Sequence, residues 1–175
     1  NASGRIDERV AAAGGRVERV RLGALHEGIA AARADGGDVV FAAEPWKHIH
    51  PDHGGWIDGA ASAAVLTRLV AAEGLDGLRD PVTERPYRKV SVECPDDRKA
   101  DAMAHLESAL PAAFPDADID TEYGVRVEFP NGSWTLVRPS GTEPYVRVYA
   151  EADDVDALVG GVTDVVSDAV ADAGE

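Results

Sequence analysis

The sequence predicts a mixed fold in which a partial α/β layer is followed by a compact α+β domain. Three observations predict it. Helical and strand-like patterns alternate through the first 72 residues, Gly, Asp and Pro interrupt the chain at 74–86, and the remainder has the order β-α-β-β-β-α. We therefore predict one domain at 1–78, a linker at 79–86 and a second domain at 87–175.

In the first part, the hydrophobic pattern predicts helices at 3–13, 25–34 and 60–72 and strands at 17–22 and 38–43. Ser3 is the predicted N-cap of the first helix, and Gly14-Gly15 ends it. A polar loop rich in Gly and His fills 44–59. Because two strands cannot make a stable doubly wound sheet, this part is expected to be half of an α/β layer.

In the second part, strands are predicted at 87–93, 124–129, 134–137 and 145–150. Pro130-Asn131-Gly132 is predicted to be the hairpin turn between the second and third strands. Helices are predicted at 96–110, capped by Asp96 or Asp97, and at 153–171.

Composition indicates a globular chain, since 45% of its residues are hydrophobic. No apolar run is long enough to span a membrane and no signal-peptide pattern is present, so the expected location is the cytoplasm. Asn1-Ala2, without an initiator Met, is interpreted as a remnant of tag cleavage. The single cysteine, Cys94, is predicted to be buried and inert.

The formal net charge of −15 is large for 175 residues, and only Lys47, Lys89 and Lys99 are lysines. Abundant Ala and few bulky aromatics complete a profile typical of proteins from halophiles that accumulate salt, and we expect a halophilic archaeal source. The charge opposes binding to DNA phosphates and to anionic lipid, so neither nucleic acid nor membrane is an expected partner.

The segment 138–144, Arg-Pro-Ser-Gly-Thr-Glu-Pro, has the residue types that capture an anion. Arg138 offers a planar fork for a phosphate, and Ser140 and Thr142 offer hydroxyl donors. Gly141 permits backbone N–H groups to turn toward an anion without a Cβ clash. Arg147, on the next strand, adds a second charge. The sequence therefore predicts a phosphate-binding loop, which we call the anion loop.

The stretch 134–151, which contains this loop, resembles the C-terminal phosphate-binding loop of the α-D-phosphohexomutases, the family of phosphoglucomutases, phosphomannomutases and phosphoglucosamine mutases. Residues 120–129 resemble the preceding strand, and 3–23 and 38–59 resemble the second half of the family's third domain. The resemblance implies that the chain is the C-terminal part of a mutase, covering half of the third domain and the fourth domain. Its substrate would be a glucose, mannose or glucosamine phosphate.

The family's third domain carries a Gly-Glu-x-Ser-Gly-His loop that binds sugar hydroxyls, and residues 43–48 resemble it. We call these residues the sugar loop. Glu44 and His48 fit the pattern, and the resemblance implies that Glu44 binds sugar hydroxyls. His48, Trp46 and Lys47 are further candidate sugar contacts, with the roles of Trp46 and Lys47 left open. Ala43, Trp46 and Lys47 depart from the family pattern, exchanging a hydroxyl acceptor for an aromatic face and a cation. Sugar selectivity is therefore not carried over from the family.

Two other patterns resemble metal sites. The His-x-His-x-Asp-His zinc motif of metallo-β-lactamase-like hydrolases is matched by His48, His50, Asp52 and His53. Such a hydrolase needs further downstream ligands, and His105 is the only histidine that follows in the sequence. Asp116, Asp118 and Asp120 resemble an Asp-rich Mg²⁺ loop without its glycines. We interpret the first match as accidental, open to adventitious Zn²⁺ or Ni²⁺, and the second as surface acid.

Mutase chemistry transfers phosphate from a phosphoserine to a sugar phosphate through a bisphosphorylated sugar, with Mg²⁺. The phosphoserine and Mg²⁺ loops are absent from the sequence, so the resemblance implies that both belong to N-terminal domains upstream of this chain. No catalytic residue and no metal ligand is predicted within it. The chain alone is expected to bind a phosphosugar without turning it over. A stand-alone phosphosugar-binding module is the alternative, followed by a zinc hydrolase.

The acidic composition predicts that salt stabilises the chain. The Debye length falls from about 30 Å at 0.01 M to about 3 Å at 1 M salt, so molar KCl screens the repulsion among surface carboxylates. We expect a higher Tm in about 1 M KCl than in about 0.01 M KCl, measured by circular dichroism. An equal or higher Tm in dilute salt would contradict the halophile prediction.

Overall fold

The computed structural model describes residues 2–174, which fall into two compact units, one comprising residues 7–83 and the other residues 2–6 and 84–174. Asn1, part of the predicted tag remnant, lies outside the described residues. No helix in the described part is both long and apolar enough to cross a membrane. The division falls between residues 83 and 84, and the assignment of the two parts to mutase domains remains a prediction.

The first unit contains three helices and a small hairpin. The helices are α1 (Gly4–Ala12), whose first turn belongs to the other unit, α2 (Leu25–Ala34) and α3 (Gly59–Arg79). Strands β1 (Ala42–Glu44) and β2 (Lys47–Ile49) pair antiparallel. Asp58 caps α3, because its carboxylate accepts a hydrogen bond from the N–H of Ala61 at 2.8 Å.

Two predicted strands of the first unit are wrong. Residues 17–22 form no strand, and of the predicted strand at 38–43 only its last two residues belong to β1. A strand needs a neighbour for its N–H and C=O groups, and the described residues offer these segments none. Part of their apolar surface stays exposed, at Leu22, Val40 and Phe41.

Helix α3 is longer than predicted, because it continues from residue 72 to Arg79. Gly74 inside it has φ +74° and ψ +158°, so the element is two helical segments joined at a kink. Glycine adopts that backbone conformation without a Cβ penalty. The segment 74–86, predicted to interrupt the chain, is thus helical as far as Arg79, and the linker at 79–86 stays a prediction.

The second unit is built on a five-stranded antiparallel sheet. Its strands are β3 (Tyr87–Glu93), β4 (Asp118–Asp120), β5 (Val125–Glu128), β6 (Trp134–Pro139) and β7 (Tyr145–Glu151). They lie in the order β3-β7-β6-β5-β4. Together with the helices, this sheet confirms the predicted mixed α and β class. Strand β4 is an addition to the predicted order, formed by the acidic segment interpreted as surface.

Helices α4 (Lys99–Ala113) and α5 (Val155–Asp172) cover one face of this sheet. The core between them is mostly valine and leucine, because alternate residues of each strand point to the same face. Its buried members include Leu106, Leu110, Val127, Val148 and Val162, all with 0% exposed surface. The opposite face of the sheet is therefore not covered by α4 and α5.

The start of α4 differs from the prediction. The helix begins at Lys99, three residues after the predicted start, and residue Arg98 at its N-cap makes no side-chain cap. Asp96, a predicted cap, instead pairs with the Lys99 ammonium at 2.5 Å. Cys94 is buried at 0% exposure as predicted, and burial is the main cause that raises the pKa of its thiol.

Candidate functional site

The anion loop joins β6 to β7, and the register of these strands places Arg138 directly opposite Arg147. Directly paired residues of antiparallel strands point to the same face of the sheet, here the face away from α4 and α5. Like charges in such a pair repel each other. The pair therefore forms a strongly cationic point that an anion between the two guanidinium groups would stabilise.

Tyr149 holds the first of these arginines. The Arg138 Nη2 donates a hydrogen bond to the Tyr149 hydroxyl at 3.0 Å, and the guanidinium carbon lies 5.2 Å from the centre of its ring. Tyr149 is only 2% exposed, so its position is fixed by packing with Trp134 and Leu136. Sequence reasoning missed Tyr149, although its spacing of two residues from Arg147 places both side chains on one face.

Arg147 forms an ion pair with Glu143, a residue of the anion loop. Its Nη2 donates to the Glu143 carboxylate, and its Nε is buried with no hydrogen-bond partner among the described residues. The Tyr149 hydroxyl and then the Glu143 carboxylate raise the pKa of Arg147, so it stays charged throughout the accessible pH range. An incoming anion at Arg147 would compete with Glu143 for the guanidinium.

Some N–H groups of the loop backbone are hydrogen-bonded within the chain and others are not. The N–H of Ser140 donates to the Tyr145 carbonyl and the N–H of Tyr145 to the Glu143 carbonyl, both at 2.8 Å. Within residues 2–174, by contrast, the N–H groups of residues 141–143 meet no acceptor. Consecutive free N–H groups of this kind make an anion-binding concavity. The loop therefore offers backbone donors in addition to the two arginines.

The other predicted loop residues differ in accessibility. Thr142 is exposed, whereas Ser140 is 3% exposed and its hydroxyl makes no hydrogen bond in the described part of the chain. A Cβ added at Gly141 would meet no protein atom within 4 Å. The space at Gly141 is therefore open to close approach of a ligand, and the role of this glycine in turning N–H groups toward an anion stays a prediction.

Gly124 makes room for Arg138 from the neighbouring strand. Its φ is +111°, and a Cβ there would lie 2.5 Å from the Val137 carbonyl oxygen and 2.8 Å from the Arg138 Cβ. Any larger residue would therefore push against the backbone that carries the first arginine. The sequence treated Gly124 only as the start of a strand.

In the first unit, the sugar loop forms the β1–β2 hairpin, where Glu44 pairs with Lys47. The Lys47 ammonium donates to the Glu44 carboxylate at 2.9 Å, and the N–H of Gly23 donates to the other oxygen. The Lys47 hydrogen bond is the main cause that lowers the pKa of Glu44, with a smaller contribution from Gly23, against the opposing effect of burial. Glu44 is thus a fixed, charged acceptor.

Trp46 lies at the tip of this hairpin with its side chain in solvent. It is 96% exposed and has φ +70°, a left-handed backbone that costs a bulky residue of order 1–3 kcal/mol. Pro45 and Trp46 occupy the two central positions between Glu44 and Lys47. The structure thus presents an indole, with strain in the backbone beneath it, beside a preorganised carboxylate.

The histidines of the zinc-like motif do not share a common metal position. His48 Nδ1 and His50 Nε2 both contact the Ser62 hydroxyl, at 3.0 Å and 2.7 Å, and Phe41 packs against both rings. Asp52 is exposed. No group of three or more His, Cys, Asp or Glu among residues 2–174 has an arrangement that could hold a metal ion. The sequence did not indicate that Ser62, on α3, is the partner of both histidines.

Known proteins are similar to this chain. Residues 89–168 match the family described as phosphoglucomutase/phosphomannomutase, C-terminal domain. This region is identified as a C-terminal domain of the phosphoglucomutase/phosphomannomutase family. The matched region contains the whole anion loop together with Lys99, Arg147 and Tyr149.

Curated mutases share this similarity beyond the matched domain. A phosphopentomutase of Thermococcus kodakarensis is 42% identical over 155 residues, and a probable phosphoglucosamine mutase of Methanopyrus kandleri is 44% identical over 153 residues. Each alignment covers 85% of this chain but 32% of the relative. The chain thus spans about a third of the length of the relatives it matches.

A solved structure agrees in fold. The crystal structure of a phosphoglucomutase/phosphomannomutase family protein from Burkholderia thailandensis matches with a TM-score of 0.70 at 24% identity. The match covers 97% of this chain and 35% of that protein. At this identity the likeness concerns the fold.

The Glu44 geometry predicts an acid titration that can be observed at Gly23. A carboxyl whose folded pKa lies below its ordinary value of 4.5 contributes stability that is complete above that pH. This stability is lost as the pH falls through the folded pKa. We expect the Gly23 amide NMR shift to titrate with a midpoint below 4.5 and the titration to vanish in Glu44→Gln.

Lys47→Met should move this midpoint upward, since it removes the main cause of the lowered pKa. Glu73→Gln, which removes an exposed carboxylate on α3, is the matched control and should leave it unchanged. A wild-type midpoint at or above 4.5 would contradict the described contacts of Glu44.

Proposed function

We propose that this chain is the substrate-binding C-terminal portion of a phosphohexomutase and that the anion loop binds the phosphate of a phosphosugar. The observation that carries the proposal is the direct pairing of Arg138 with Arg147 beside three free backbone N–H groups. Two planar guanidinium groups and several N–H donors match the oxygens of a phosphate dianion. The family match of residues 89–168 supports the same assignment.

The ligand-free contacts suggest how binding proceeds. Arg138 is already oriented by Tyr149, so little side-chain freedom is lost when it meets a phosphate. Arg147 exchanges its ion pair with Glu143 for one with the ligand. Thr142 and Ser140 supply hydroxyl donors, the latter after a movement that exposes its buried oxygen. Glu143 would then act as a competitor that weakens capture of small anions.

In this proposal the bound phosphate is the one that does not react. A mutase of this family moves a phosphoryl group from a phosphoserine to a free hydroxyl of the sugar phosphate, and the other phosphate of the resulting bisphosphate returns to the serine. The substrate must therefore bind in two orientations. An anchor that grips either phosphate in turn supplies binding energy that orients the reacting end.

The sugar loop would contact the sugar itself. Glu44, as a fixed carboxylate, would accept hydrogen bonds from hydroxyl groups, and the exposed Trp46 face would pack against the ring. Lys47 and His48 would line the same hairpin. Relatives named for pentose and glucosamine substrates leave pentose phosphates and amino sugar phosphates beside glucose and mannose phosphates as candidate ligands.

The phosphoserine and Mg²⁺ of the reaction are assigned to N-terminal domains outside this chain. The chain covers about a third of its relatives, which supports this division. We assign no Mg²⁺ step to this chain, because the family's Mg²⁺ loop has no counterpart in its sequence. A module that only binds phosphosugars would use the same loops and would differ in having no catalytic partner domains.

Arg138→Ala should weaken phosphosugar binding without unfolding the chain. Losing a charged hydrogen-bonding group costs about 1.5–3 kcal/mol, which is roughly a ten- to hundredfold loss of affinity. Isothermal titration with glucose 6-phosphate measures it, and circular dichroism checks the fold. Arg138→Lys should recover only part of the affinity, because an ammonium lacks the bidentate fork.

Arg88→Ala is the matched control, since it removes an arginine that pairs with Asp156 at the surface. It should bind like the wild type. If folded Arg138→Ala chain bound glucose 6-phosphate and glucose 1-phosphate as tightly as wild type, the loop would not be the phosphate anchor.

The isolated chain should have no mutase activity, because the phosphoryl donor is assigned outside it. A coupled assay for conversion of glucose 1-phosphate to glucose 6-phosphate, run with and without added Mg²⁺ and sugar bisphosphate, measures this. Turnover that scales with the concentration of pure chain would contradict the assignment of the phosphoryl donor to domains outside it.

A further inference from the structure

Lys99, the first residue of α4, has its ammonium beneath the anion loop. The Nζ donates to the carbonyl oxygen of Ser140 at 2.7 Å and to that of Glu143 at 2.6 Å, and it pairs with the Asp96 carboxylate at 2.5 Å. The Lys99 side chain is only 12% exposed. We propose that Lys99 is a positioning residue that holds the anion loop ready for a phosphate. This inference rests on the proposed function of the loop.

The chemistry of the site fits lysine better than arginine. An ammonium has three N–H donors around one nitrogen, and three oxygens converge on it here. The planar guanidinium directs its donors along a fixed fork and suits a carboxylate or phosphate edge instead. One of the chain's three lysines therefore occupies a position where a point-like cation is required.

The position also departs from the packing pattern of its helix. Ala102, Leu106 and Leu110 are the buried residues of α4 and follow Lys99 at intervals of three, seven and eleven residues. These intervals place all four residues on the core side of the helix. A charged residue therefore stands where the pattern calls for an apolar one, and the anion loop provides the acceptors that satisfy it.

One of these contacts sets the direction of a loop donor. In a planar trans peptide the C=O and the following N–H point in opposite directions. With the Ser140 carbonyl turned toward Lys99, the N–H of Gly141 points away from the ammonium, and it meets no acceptor in the described part of the chain. Lys99 thus fixes the 140–141 peptide with its carbonyl toward the ammonium and its N–H available to a ligand, and through the Glu143 carbonyl it fixes the other end of the loop.

Lys99 and Arg147 both contact Glu143. Lys99 binds its backbone carbonyl, and Arg147 binds its carboxylate. When a phosphate replaces Glu143 at Arg147, the Lys99 contact still fixes the backbone of the loop. Loss of the ammonium should therefore loosen the loop in the absence of ligand and weaken binding in its presence.

The test compares wild type with Lys99→Met, Lys99→Arg and Arg98→Met in the whole chain. Arg98→Met removes one positive charge from the adjacent residue, whose guanidinium lies against Gly174. Hydrogen exchange without ligand measures loop order at the amides of Ser140 and Tyr145, with the Val148 amide of β7 as the reference for the sheet. Calorimetric titration with glucose 6-phosphate measures affinity.

Lys99→Met should raise exchange at Ser140 and Tyr145 about tenfold, leave Val148 unchanged and weaken glucose 6-phosphate about tenfold, as expected for lost charged hydrogen bonds. Lys99→Arg should recover part of both effects, and Arg98→Met should show neither. Unchanged loop exchange, an equal rise at Val148, or loosened loop amides with wild-type affinity would each overturn the proposal.

Arg138→Ala separates this inference from the function on which it rests. If Arg138→Ala weakens glucose 6-phosphate binding and Lys99→Met does not, the proposed function stands and the role of Lys99 is refuted. If wild-type chain does not bind glucose 6-phosphate, the proposed function fails, and the inference about Lys99 fails with it.

Discussion

The antiparallel pairing of β6 with β7 is the constraint on which the site depends. It places Arg138 opposite Arg147, two like charges that would separate in a flexible loop. The valine core beneath, covered by α4 and α5, fixes the strands. The larger apolar core therefore lies on one face of the sheet, and the arginine pair lies on the other, beside the smaller buried cluster of Trp134, Leu136 and Tyr149. Tyr149 and Glu143 offset the repulsion in the ligand-free chain without removing the positive charge.

The two units differ in how well they bury apolar surface. In residues 7–83 the buried hydrophobic residues of the described chain are Leu25 and Ile49, whereas the second unit contains a continuous core. Exposed Phe41, Leu66 and Trp56 belong to the first unit. This contrast explains why sequence patterns were reliable in one unit and not in the other, since a strand forms only where a neighbour pairs with it.

Local alternation was sufficient in the second unit, where each strand finds a pairing partner in the sheet, even when that partner is as distant in the sequence as β7 is from β3. The patterns at 87–93 and 145–150 predicted β3 with its observed bounds and β7 to within one residue. The turn predicted at 130–132 lies between β5 and β6, although β6 continues two residues beyond the predicted end at 137. Residue types alone singled out the arginines of the anion loop, whose role in binding phosphate stays a prediction. They did not single out Tyr149, Ser62 or Lys99, because the contacts of these residues arise from register or from tertiary structure. Two strands were predicted at 17–22 and 38–43 from alternation alone, which does not show whether a pairing partner exists.

The function proposed for this chain depends on phosphate binding by the anion loop, through its backbone N–H groups and paired arginines. The most direct measurement is a titration of isotope-labelled chain with glucose 6-phosphate, followed by NMR at backbone amides and arginine side chains. We expect saturable shifts concentrated at the amides of Gly141, Thr142 and Glu143 and at the guanidinium signals of Arg138 and Arg147. Shifts that saturate elsewhere while these signals stay unchanged would contradict the account.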